Sequence, residues 1–186
     1  MKMLWIDKKI KYDGSQLHSL FAYLEHKVLG DSIVSFEGPC DVDFKHMVDG
    51  EDLLARSPIR SNNMVHFIIE KFGQNLFSGV LLQRLITTIA RDTFYQLTQQ
   101  QATLKREGDD LFIGDQKLSI SIATLSPVSA LIHFAVNITT EGTPVKTVSL
   151  EQYGILPREF ATQVMSKVSA ELQSIDEACC KVRWVK

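Results

Sequence analysis

Asp109-Asp110-Leu111-Phe112-Ile113-Gly114-Asp115-Gln116-Lys117-Leu118-Ser119-Ile120-Ser121-Ile122 is the stretch on which the fold turns. Residues on both sides of Gly114-Asp115 alternate in polarity. That predicts a hairpin with a two-residue turn, because glycine adopts the positive φ such turns need. Phe112 then pairs with Lys117, Leu111 with Leu118 and Asp110 with Ser119. Side chains alternate between faces along a strand, so Leu111, Leu118, Ile120 and Ile122 share one side. Asp110, Phe112, Lys117, Ser119 and Ser121 share the other. The next strand, Ala130–Ile138, separates Ala130, Ile132, Phe134, Val136 and Ile138 from Leu131, His133, Ala135 and Asn137. If the two strands are antiparallel neighbours with matched apolar sides, one face carries Asp110, Lys117, Ser119, Ser121, His133 and Asn137. A lysine among small hydroxyls, with a carboxylate and an amide nearby, suits a phosphate or carboxylate. A solvated face of an antiparallel sheet explains the same pattern, so both readings stand at this point.

Working outward, Leu4–Ile10 predicts a short strand or hairpin. Asp13-Gly14-Ser15 offers an N-cap for a helix with Leu17, Leu20, Phe21, Leu24 and Val28 on one stripe, ended by Gly30. Asp31–Glu37 reads as a strand stopped by Gly38-Pro39, followed by a long loop over 38–62 with one helical turn near Glu51–Ala55. Met64–Phe72 is a further strand. Asn75 to Leu97 predicts a buried helix, with Phe77, Leu81, Leu85 and Ile89 four apart and Leu82 and Ile86 beside them. A last helix starts at Pro157 and repeats Phe160, Val164, Val168, Leu172, Ile175 and Cys179 along its core stripe. On that stripe Cys179 reads as a small buried hydrophobe.

The chain has 186 residues, 45% of them hydrophobic and 23% charged, which fits one globular domain spanning 1–186. Twenty Lys+Arg against 22 Asp+Glu leave a charge of −2, which excludes a bulk nucleic-acid binder. The apolar stretch from Val80 to Ala90 is interrupted by Gln83 and Arg84, too short for a membrane span. The N-terminus lacks the apolar core of a signal peptide. Cys40, Cys179 and Cys180 read as free thiols of a reducing compartment, so a cytoplasmic location is expected and no metal site is assigned.

The opening stretch resembles the catalytic domain of biotin protein ligases and, more loosely, lipoate ligases. Those carry an Asn-Asp-Leu strand, a tight turn and a Lys-Leu strand, which Asp109 to Leu118 match without a gap. Ala135-Val136-Asn137-Ile138 is similar to their Gly-Ile-Asn strand end, and Val148 to Ile155 to the segment before their last catalytic-domain helix. Asp13-Gly14-Ser15-Gln16 resembles their Asp-Ser-Thr-Asn, and Gly30 to Val34 the strand before their glycine-rich loop. The chain also resembles an uncharacterised prokaryotic family through Tyr12–Leu17 (YDGSQL) and Gly38–Val42 (GPCDV).

These resemblances imply an α+β domain, a mainly antiparallel mixed sheet flanked by helices, as in class II synthetases and biotin–lipoate ligases. They imply an adenylate-forming or acyl-transferring ligase that uses ATP and Mg²⁺ on a small carboxylic acid, with an acceptor protein as partner. The alternative is a ligand-binding or scaffold protein that keeps the fold without the glycine-rich loop. Three departures bear on the choice: 38–63 is acidic before it is basic, Ile120 stands where the ligases have glycine, and Asp109 where they have asparagine.

Lys117 takes the place of the adenylate-contacting lysine, and Asp110 would hold it or help to coordinate Mg²⁺. Arg60, Ser119, Ser121 and Asn137 are the expected nucleotide contacts, with Arg56 a second phosphate-clamping arginine. Ser15, Gln16 and His133 are the expected substrate contacts. His66 reads as a structural histidine, and Asp41, Asp43, Asp49, Glu51 and Asp52 as a solvated acidic loop, with a cation site as the alternative. The sequence leaves self-association into a homo-oligomer open.

Overall fold

The computed structural model describes residues 1–185. The hairpin forms as expected: β5 (Asp110–Ile113) pairs with β6 (Gln116–Lys117), with Phe112 opposite Lys117 and Ile113 opposite Gln116. Gly114 takes the turn at φ 61°. A short β4 (Lys105–Glu107) completes this small sheet. The chain then crosses into the main sheet as β7 (Ser119–Leu125), which runs antiparallel to β8 (Ser129–Asn137).

The main sheet has the order β1-β2-β3-β8-β7, built with β1 (Lys2–Ile6), β2 (Ser32–Asp41) and β3 (Arg60–Phe72). Only β1 and β2 are parallel; every other neighbouring pair is antiparallel. The sheet is therefore mixed but mainly antiparallel, as expected. Its long helices, α3 (Leu76–Leu97) and α4 (Pro157–Cys180), cover one face. The core there joins Val65, Phe67, Ile69, Ile132, Phe134 and Val136 to Leu82, Ile86 and Phe94 of α3 and Phe160, Val164 and Val168 of α4. A second core of Tyr12, Phe21, Val34, Phe36, Met64, Ile68 and Ala135 lies on the opposite face. It is covered by α1 (Phe21–His26), and Val42 and Ile59, on either side of α2 (Gly50–Ala55), pack against it. All nine residues of β8 are buried, so the sheet has no solvated face here.

Several expectations are corrected. The first helix begins at Phe21 rather than near Ser15. The buried Glu70 carboxylate accepts the Leu20 N–H at 3.0 Å and the Ser19 hydroxyl at 3.1 Å, and Leu20 sits at φ 66°. The Asp13 carboxylate closes a local turn by accepting from the Ser15 N–H and hydroxyl instead of capping the helix. β2 does not stop at Gly38-Pro39 but continues to Asp41 through a register shift between Gly38 and Cys40. The expected loop 38–62 is correspondingly shorter, and the helical turn within it is α2.

Helix α3 is capped by the Asn75 side chain, which accepts from the Ser78 N–H, but its buried stripe is Leu82, Ile86, Ala90 and Phe94. Phe77 and Leu81 are exposed. Helix α4 buries Phe160, Val164, Val168 and Leu172, then runs past the core, leaving Cys179 exposed rather than buried. No helix among the described residues is long and apolar enough to cross a membrane.

Gly38, where the β2 register shifts, is closely approached by another backbone segment. A Cβ on Gly38 would lie 1.9 Å from the Ile10 carbonyl oxygen, a backbone atom that cannot swing away. The chain at Ile10 binds the β2 backbone here, donating from its N–H to Glu37 O at 2.9 Å. Gly38→Ala is expected to destabilise the protein by about 3 kcal/mol or more, since the strand or its neighbour must move. An unchanged urea midpoint would refute this close approach.

Candidate functional site

The site is built where β6 hands over to β7. The Lys117 N–H donates to Lys146 O at 3.0 Å, and Lys117 O accepts from the Val148 N–H at 3.1 Å. The Asn137 amide donates to the same Lys117 oxygen at 3.2 Å and lies 3.4 Å from Val148 O. The lysine backbone is thus fixed from both sides, which pre-positions its ammonium. That ammonium meets Asp110 Oδ2 at 2.7 Å, with both side chains partly buried. Burial pushes the Asp110 carboxyl up from its usual range, while Lys117 pulls it back.

A cavity of about 430 Å³ opens at this pair. Asp110, Lys117, Ser119, Ser121, Asn137 and Arg60 all border it, so six of the residues expected at a site converge on one space. Asp49, Glu51 and Asp52 face them from the α2 segment. A second chamber of about 50 Å³ adjoins it and shares Asp49, Asp52, Ile59, Ile120 and Ser121. Its other walls include Tyr12, Val42, Ile122 and His133. Ser15 and Gln16 border neither chamber; the Gln16 amide donates to Lys11 O and its oxygen accepts from the Asp13 N–H. Arg56 borders neither.

The expected shared polar face does not form. Register pairs Ser119 with Val136 and Ser121 with Phe134, so both serines share the face covered by α3 and α4. His133 pairs with Ile122 on the opposite face. The matching of apolar sides fails because both faces of β8 are buried. The serines are also engaged: Ser119 Oγ accepts from the Leu111 N–H at 2.9 Å. The Ser121 hydroxyl donates to Asp109 Oδ2 at 2.8 Å and accepts from Gln83 at 2.8 Å. Arg84 binds the other Asp109 oxygen at 2.7 Å. Asp109 thus ties α3 to the hairpin, a role that needs a carboxylate.

The remaining charged wall residues differ in how they are held. Asp49 caps α2 by accepting from the Glu51 and Asp52 N–H groups. Asp52 is pushed up by burial and by Asp49. Arg60 is exposed at the rim and has no carboxylate within ion-pair distance among the described residues. Tyr12 and Ile59 are wall residues that the sequence does not mark as site members, and Asp49 and Asp52, read there as an acidic loop or a cation site, join them. The tyrosine lies just before the Asp13 turn and no periodicity marks it. Cys40 is buried and its thiol is pushed up to about 12, which removes it as a nucleophile at neutral pH.

Under the smaller chamber lies a stack of rings. Tyr12 lies over His133 with centroids 3.7 Å apart and planes 12° apart, and Phe36 stacks on His66 at 5.1 Å. His66 Nε2 meets Gly38 O at 3.1 Å, and His66 Nδ1 meets His133 Nε2 at 3.1 Å. Burial lowers His66 to about 4 and His133 well below its ordinary value, the second also through repulsion from His66. Both are therefore neutral in the folded protein at pH 7, whereas an unfolded histidine takes a proton near ~6.5. The unfolded state binds more protons below that point, so stability falls as pH drops from about 6.5 toward 4. In His66→Gln the amide can accept from His133 and donate to Gly38 without titrating, so part of this loss should vanish. Urea midpoints at pH 7.5 and 5 check this, and equal wild-type midpoints would contradict it.

The fold and these residues can be set beside known proteins. A protein of unknown function from Pyrococcus horikoshi is 40% identical, with a TM-score of 0.92 over 100% of this chain and 99% of that one. A biotin protein ligase from Aquifex aeolicus in complex with biotin and ATP has a TM-score of 0.62 over 95% of this chain and 72% of that one. Its 16% identity makes this a likeness of fold. The uncharacterized protein MJ0805 from Methanocaldococcus jannaschii is 34% identical over 161 residues, 83% of this chain and 72% of that protein. Residues 1–183 match the domain of unknown function DUF366. The chain belongs to the DUF366 family, whose fold is that of the biotin and lipoate ligase catalytic domains.

Proposed function

We propose that the joined chambers bind a small carboxylic acid, and that the protein is an adenylate-forming or acyl-transferring enzyme of ligase type. The observation that carries this is Lys117: a cation paired with Asp110, its backbone fixed by hydrogen bonds with Lys146, Val148 and Asn137, on the wall of a ligand-sized cavity. Such a charge stabilises a carboxylate on arrival and the phosphate charge that develops when the acid is activated. ATP with Mg²⁺ is the activating reagent that the ligase likeness suggests. Arg60 and Lys117 would face its phosphates, and Glu51 and Asp52 supply carboxylate oxygen for the metal. The Asp110 carboxylate holds Lys117 in place, and Asn137 acts by fixing the strand that carries it.

A second reading has its own support. Five carboxylates border the large cavity against Arg60 and Lys117, an unfavourable balance for a triphosphate without metal. The α2 helix also occupies the interval where ligases carry a glycine-rich loop. Under that reading the protein binds the acid and does not activate it.

Thermal unfolding with ATP, Mg²⁺ and a panel of carboxylic acids separates the two. A ligand at ~100 times its Kd stabilises by about 2.7 kcal/mol, enough to raise the unfolding temperature by several degrees. The enzyme reading expects nucleotide and acid to stabilise together, with release of pyrophosphate. Lys117→Met, which keeps the side-chain stem, should lower that release at least ~100-fold while the protein stays folded. Stabilisation by an acid alone, with no effect of nucleotide, selects the binding reading instead.

A further inference from the structure

Two contacts mark where the layers around α4 end. The Lys167 ammonium donates to Thr93 Oγ1 at 2.9 Å and to Gln96 Oε1 at 2.6 Å, at the end of α3. The Ser169 hydroxyl donates to Met1 O at 2.8 Å, beside the start of β1. From Ser169 the helix runs on to Cys180, which is about three further turns. Its apolar stripe does not stop with its neighbours. Leu172 is the last buried member, and Ile175 and Cys179 continue the stripe in the open. The residues that follow add Val182 at 76% exposure, Trp184 at 83% and Val185 at 90%. Apolar surface concentrated in this way marks an interface, and a tryptophan is among the most valuable residues to bury in one.

Charge says what the partner is. Glu171, Asp176 and Glu177 form an acidic block on the overrunning turns, and Lys181 and Arg183 form a basic block directly after it. None of these residues makes an ion pair with another side chain among the described residues. An acidic segment followed by a basic one complements itself when two copies run antiparallel and repels itself when they run parallel. The exposed stripe lies along the same segment, so one two-fold arrangement buries the apolar residues and pairs the charges together. We propose that the overrunning end of α4 is the contact of a homodimer. Ile175, Cys179, Val182 and Trp184 of the two copies pack against each other, and the acidic block of each copy faces the basic block of the other. None of these residues borders either chamber, so the contact is independent of the ligand reading above.

Sedimentation velocity of the full chain from ~1 to ~500 µM, the range in which a small specific contact dissociates, reads the association directly. The wild type should pass from monomer to dimer across it. Ile175→Glu should weaken the dimer at least about tenfold, because it sets a carboxylate in the apolar seam. Reversal of the acidic block (Glu171→Lys, Asp176→Lys, Glu177→Lys) should do the same, as should reversal of the basic block (Lys181→Glu, Arg183→Glu), since each sets like charges face to face. Mixing the two reversed chains should restore a dimer, because each then carries the complement of the other. One chain carrying both reversals should associate with itself again. The substituted positions are exposed, so far-UV circular dichroism should show every variant folded. A wild type that stays monomeric through the whole range overturns the proposal. So does a dimer that survives Ile175→Glu or either reversal, and so do reversed chains that fail to pair when mixed.

Discussion

The insertion of β8 between β3 and β7 is the constraint from which the rest of the molecule follows. A strand paired on both edges has its backbone hydrogen bonds satisfied, and here it is also covered on both faces. Phe134 and Val136 meet the long helices, while His133 and Ala135 meet the second core. Register at a strand of this kind is strict, because a slip of one residue would send Phe134 to the histidine side. The same register brings His133 diagonally next to His66 and sets Ser121 toward Asp109. Two polar networks therefore sit on opposite sides of one sheet, each closed by partners from a different layer.

Those networks share out the charged residues that border the cavity. Asp109 is held by Arg84, Gln83 and Ser121, Asp110 by Lys117, and Asp49 by the first turn of α2. A carboxylate with several donors is a structural tie, whatever its place in a motif. Lys117 differs because its backbone is clamped while its side chain faces a space large enough for a ligand. The ligase likeness sharpens this contrast. That likeness is one of fold, and in this chain the interval after β2 carries the short helix α2.

Secondary structure was legible wherever local chemistry decides it. Gly114-Asp115 gives the hairpin, Asn75 and Pro157 mark helix starts, and β3 shows as an apolar run. The shortened first helix was not legible, because Leu20 is held by Glu70 from fifty residues away. The extension of β2 past Pro39 depends on Ile10 and Tyr12 docking alongside it. The exposure of Phe77, Leu81 and Cys179 reflects where the neighbouring layers end. A helical stripe reports spacing and says nothing about the length of the surface it meets.

The sequence by itself determined the class of the fold, the hairpin with Lys117 opposite Phe112, and six residues that meet at one cavity. The hairpin rests on turn chemistry that acts within a few residues, whereas the fold class came from the resemblance to the ligases. Only the tertiary structure decided that Ser119 and Ser121 turn away from His133, that Ser15 and Gln16 stand clear of the site, and that Tyr12 enters it. Each of these depends on which faces are buried and which distant group supplies the missing hydrogen bond, and side-chain alternation along one strand carries no information about either.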